Sequence, residues 1–86
     1  MLSPPRILPS GDSAITVEFS RNIDDQANRR VLALDRTLTR EMIAGVTETV
    51  PTYRSLLVHY DPVQIGFEPL GEKLAPISFE LECPDL

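Results

Sequence analysis

The sequence predicts an α+β fold: a small antiparallel sheet of two hairpins with one long and one short helix packed on a single face. Three observations lead there. Residues 14–19 (Ala-Ile-Thr-Val-Glu-Phe) alternate so that Ile15, Val17 and Phe19 share one side, which is the period of a half-buried strand. Apolar residues then recur in helical steps at Ala27, Val31, Leu34, Leu38 and Met42. Past Gly45 the period returns to two, with β-branched residues at Val46, Thr47, Thr49 and Val50. Each of these elements has one apolar side, and helices laid on one face of a sheet bury all of those sides together.

Taken in order, Arg6-Ile7-Leu8-Pro9 is a short apolar run closed by Ser10-Gly11-Asp12, so it forms a hairpin with residues 14–19 through a glycine-containing turn. The long helix begins at Asp24 or Asp25, where an acidic side chain caps the first amides and complements the helix dipole. It is expected to end near Gly45, since glycine readily takes the left-handed conformation found after many helices. The next strand, from Val46, carries Pro51, which lacks a ladder donor and so calls for a bulge, an edge position or exposure to solvent. Ser55 to Tyr60 is its partner strand across a tight turn at Tyr53-Arg54, and Asp61-Pro62 ends it. A second helix is expected from Phe67 to Ala75, short because Pro69, Gly71 and Pro76 interrupt it, with Leu70, Leu74 and Ile77 as its apolar side. Ser78-Phe79-Glu80-Leu81-Glu82 alternates as a last strand would. The pattern as a whole is ferredoxin-like in character.

Composition narrows the function. A chain of 86 residues makes one small domain with a thin core, and 42% hydrophobic with 24% charged residues is an ordinary globular mixture. The net charge of -5 argues against nucleic acid, whose binding needs clustered Lys and Arg. No apolar run reaches membrane-spanning length, and the first residues lack the form of a signal peptide. The single cysteine, Cys83, has no partner for a disulfide or a metal site and no basic neighbour to activate it. A cytoplasmic protein without membrane or nucleic-acid partners is the expectation.

Three blocks then carry a resemblance: Arg6-Ile7-Leu8-Pro9-Ser10-Gly11-Asp12-Ser13-Ala14, Asn28-Arg29-Arg30-Val31, and Val50-Pro51-Thr52-Tyr53-Arg54-Ser55-Leu56-Leu57-Val58-His59-Tyr60-Asp61-Pro62. In order and spacing they resemble the N-terminal domain of the allophanate hydrolase subunit one family, which includes the kinase inhibitor KipI and the 5-oxoprolinase subunit PxpB. The resemblance implies a longer protein in which this domain, residues 1–86, precedes a cyclophilin-like C-terminal domain that this sequence lacks. It implies ring opening of 5-oxo-L-proline to L-glutamate coupled to ATP hydrolysis, by a complex with KipA/PxpC-like and hydrolase-like partner subunits. Allophanate hydrolysis and direct inhibition of a sensor histidine kinase are the other activities the family suggests. No cofactor is expected in the fragment itself, ATP being used by the full complex.

The residues offer little chemistry of their own, and no catalytic or metal-binding residue is assigned. Arg54, with Tyr53 and Pro51 beside it, is the candidate partner-binding group. Its planar donor fork suits a carboxylate, although it would equally cap strand carbonyls or pair with Asp61. His59 has no evident nucleophile or orienting carboxylate and reads as a structural histidine. Ser10, Ser13 and Ser55 lie in no nucleophile motif, and turn chemistry accounts for them. Arg29, Arg30, Arg36 and Arg40 predict a basic stripe along the first helix, either a surface for an acidic partner or a solvated face with local ion pairs.

Overall fold

The computed structural model describes residues 5–20 and 25–80. Strands β1 (Arg6–Pro9) and β2 (Ala14–Glu18) lead to helix α1 (Asp25–Glu41). Strands β3 (Val46–Pro51) and β4 (Ser55–Tyr60) and helix α2 (Phe67–Glu80) follow. The four strands form one antiparallel sheet in the order β1-β2-β4-β3. Strand β4 therefore inserts between β2 and β3, and β2-α1-β3 is a split β–α–β unit. The α+β class, the two hairpins and the helix pair are as the sequence predicts.

Register sorts the side chains. Ile15 pairs with Val58 and Val17 with Leu56, and these four are fully buried beneath the helices. Phe19 and Tyr60 extend that face, and Ala27, Val31, Leu34 and Leu38 meet it from α1. From α2, Leu70 and Leu74 complete the core, one helical turn apart. The opposite face carries the row Leu8, Thr16, Leu57 and Val50 and, beside it, Ala14, His59 and Glu48. An Arg6–Glu18 ion pair of 3.1 Å spans the β1–β2 register there.

Three expectations require correction. Helix α1 stops before Gly45: Met42 takes the left-handed conformation at φ 52°, its N–H donating to the Leu38 carbonyl. Gly45, at φ 97°, instead turns the chain into β3, and its carbonyl accepts from the Asp61 N–H. The early stop is set by the next strand, since Val46 must reach its place opposite Tyr60. The second correction concerns α2, which does not end at Ala75 but runs through Pro76 to Glu80. Ser78 to Glu80 are thus helical and not the start of a last strand; Leu81 and Glu82 lie outside the described residues, as do Asp24 and Cys83. Burial explains the continuation: Leu70, Leu74, Ile77 and Ser78 keep one side of the helix against the sheet, which outweighs the hydrogen bond lost at Pro76. Pro69 costs little, because in the first turn its missing N–H has no helical partner to lose.

The third correction is to the basic stripe. Arg30 is only 4% exposed and lies over the Phe19 ring, 4.6 Å from its centroid, so it belongs to the core boundary. Arg29, Arg36 and Arg40 are exposed. Pro51 behaves as its chemistry requires, ending an edge strand with its side exposed, while the bulge in β3 falls between Val46 and Glu48.

Candidate partner-binding site

Pro51, Tyr53 and Arg54 come together at the tip of the β3–β4 hairpin, where residues 51–54 are all exposed. The loop has three residues, Thr52 to Arg54, and its geometry rests on Thr52. The Thr52 N–H donates to the Ser55 carbonyl at 2.8 Å, and the Thr52 hydroxyl accepts from the Ser55 N–H at 3.1 Å. The same hydroxyl reaches the Ser55 carbonyl at 3.0 Å and the Ser55 hydroxyl at 2.8 Å. A short polar side chain that serves both backbone groups of its neighbour closes the turn without an Asn-Gly pair.

Helix α1 braces this tip. The Tyr53 hydroxyl donates to Asp25 Oδ1, and Asn28 Nδ2 donates to the Tyr53 carbonyl at 3.0 Å. Asp25 and Asn28 sit in the first turns of the helix, so the hairpin tip is fixed to its N-terminal end. At the base of the loop the Arg54 carbonyl accepts from the Phe19 N–H at 2.9 Å. The backbone of Arg54 is thus tied into the β2 side of the sheet while its side chain is exposed. A loop ordered before binding loses less entropy on meeting a partner.

The alternative of an Arg54–Asp61 pair is excluded. The six-residue strand β4 lies between them, which separates the two backbones by roughly 20 Å. Asp61 has other work: its carboxylate accepts from the Val63 N–H at 3.0 Å and from Gln64 Nε2 at 3.2 Å, closing the turn after β4.

His59 is half-buried on the outer face, and its cross-strand partner is Glu48. That carboxylate was not legible as a neighbour, because the bulge in β3 shifts the register by one residue. The Ser10-Gly11-Asp12 segment is an ordinary hairpin turn, with Ser10 N–H donating to the Ala14 carbonyl and Gly11 at φ 80°. Asp25 and Asn28 are the supporting residues the sequence does not reveal. Asn28 belongs to a block of the family resemblance, but nothing in a one-dimensional pattern joins it to Tyr53. Among the described residues no cluster of His, Cys, Asp and Glu could hold a metal ion, and no helix is long and apolar enough to cross a membrane.

Residues 5–83 match the family model of the carboxyltransferase domain, subdomain C and D. The chain belongs to that family. Its solved relatives include the conserved protein PH0987 from Pyrococcus horikoshii, 38% identical with a TM-score of 0.80 over 86% of this chain and 34% of that one. Urea amidolyase from K. lactis is 26% identical with a TM-score of 0.85, over 95% of this chain and 5% of its own. The N-terminal domain of the histidine kinase inhibitor KipI from Bacillus subtilis is 25% identical with a TM-score of 0.70, over 99% of this chain and 98% of that domain. No curated protein sequence matches. These likenesses bear out the resemblance to the allophanate hydrolase subunit one and KipI family. The chain spans about a third of PH0987 and a twentieth of urea amidolyase, and nearly the whole KipI N-terminal domain.

Proposed function

We propose that this domain is a non-catalytic docking module within a longer subunit of an amide-hydrolysing complex, of the ATP-dependent 5-oxoprolinase or allophanate hydrolase type. The observation that carries the reading is the braced hairpin tip. It presents Pro51, Tyr53 and Arg54 on a loop whose backbone is already ordered by Thr52 and by α1. Arginine and tyrosine are the residue types that most often dominate protein interfaces, and a planar guanidinium selects a carboxylate on the facing surface. Similarity to a piece of urea amidolyase supports the amide-cleaving class. In this reading the substrate and ATP are handled by the rest of the complex.

The test mixes the full-length protein with its KipA/PxpC-like and hydrolase-like partner subunits and follows 5-oxoproline-dependent ATP hydrolysis. Replacing Arg54 with alanine should weaken assembly by about 1–2 kcal/mol, roughly 5- to 30-fold in affinity, with the fold largely intact. A lowered melting temperature with assembly intact would assign Arg54 to the fold instead. The match to the KipI N-terminal domain over nearly its whole length favours one second reading, a regulator that binds and inhibits a sensor histidine kinase. Tight kinase binding without ATP turnover in the mixed complex would select it.

A further inference from the structure

Helix α2 carries a glycine that its own packing does not require. Gly71 lies in the helix interior, where glycine is the poorest residue short of proline. A Cβ built at this position meets nothing closer than Ile7 Cγ2 at 3.8 Å, an ordinary contact that alanine would satisfy. The missing side chain leaves a groove of about 330 Å³ between α2 and β1, floored by Ile7, Phe67, Gly71 and Ala75. Glu68 and Glu72, both exposed, border it. They stand one turn apart on an exposed side of the helix, an arrangement of like charges that disfavours the isolated helix and that a cation relieves.

The occupant can be specified further. A second copy would bring the same glutamates to a shared contact on a chain of net charge -5, so a basic partner is favoured over self-association. An added strand is disfavoured, because β1 has four residues, ends in Pro9 and follows Pro5. Gly71 and Ala75, one turn apart, instead allow another helix to approach α2 closely. We propose that the β1–α2 groove is a docking site for an amphipathic helix of a partner protein, which lays a small apolar side over Gly71 and presents Lys or Arg to Glu68 and Glu72. This surface flanks β1, at the opposite edge of the sheet from β3 and its hairpin, and the proposal does not depend on the role given to Arg54.

The experiment titrates the isotope-labelled chain with two short synthetic helical peptides that share an Ala/Leu side, one flanked by lysines and the other by glutamates. The lysine peptide should shift the amide signals of Ile7, Phe67, Glu68 and residues 70–75, and the glutamate peptide should not. The exposed double change Glu68→Lys and Glu72→Lys should reverse that preference, while Gly71→Leu, which fills the groove, should weaken the lysine peptide by about tenfold or more. Gly71→Ala should raise the melting temperature. Any of four results overturns the proposal: no shift with either peptide, equal binding of both, self-association mapping to the same residues, or a lower melting temperature for Gly71→Ala.

Discussion

At the scale of single residues, two left-handed backbone positions shape the turn from α1 into β3. Met42 adopts a left-handed conformation although its side chain is 81% exposed and packs on little. Replacing it with glycine should stabilise the fold by about 1 kcal/mol, read as a higher urea midpoint with an unchanged slope, because the β-carbon penalty disappears and almost no contact is lost. Gly45 is the opposite case. An alanine β-carbon there would lie 2.4 Å from Ile65 Cγ2 while the backbone stays at φ 97°, so Gly45→Ala should destabilise by about 2 kcal/mol or more in the same measurement. Both positions were within reach of the sequence, but only in part. The glycine signals a special turn somewhere after the helix, yet which of residues 42–45 takes the cap depends on where Val46 must stand beside Tyr60. The same limit applies to the site: Pro51, Tyr53 and Arg54 are legible as an unusual polar set, whereas the Asp25 and Asn28 contacts that hold them depend on residues 25 or more positions away.

At the scale of elements, alternation and helical periodicity locate every strand and the first helix to within a few residues. Local chemistry misleads in α2. Pro76 and Gly71 both argue against a helix, and the alternation from Ser78 imitates a strand. What decides the outcome is a tertiary quantity, the burial of Leu70, Leu74 and Ser78 against the sheet. Because Pro76 withholds one helical hydrogen bond in the middle of that element, Pro76→Ala should raise stability by about 1 kcal/mol. Calorimetry checks this, and amide exchange should show stronger protection for the turn around residue 76. A fall in stability would mean that the restraint proline places on the unfolded chain outweighs the lost bond.

For the whole molecule, size sets the terms. An 86-residue domain holds a total stability of about 4–13 kcal/mol, and its core is one layer of side chains between sheet and helices. Leu34 lies at the centre of that layer and is fully buried. Truncating it to alanine should cost about 2–5 kcal/mol, read as a lower urea midpoint by circular dichroism. The margins of the sheet carry a different consequence. One border strand is four residues long and closes with Pro9; the other is interrupted by a bulge and closes with Pro51. Neither offers a long run of vacant amides, so a partner would meet this domain's side chains and not its main chain. Recognition written in side chains changes by substitution while the framework stands still, and so one scaffold can serve within a large amidolyase and within a kinase antagonist, each lineage free to rewrite the contacts.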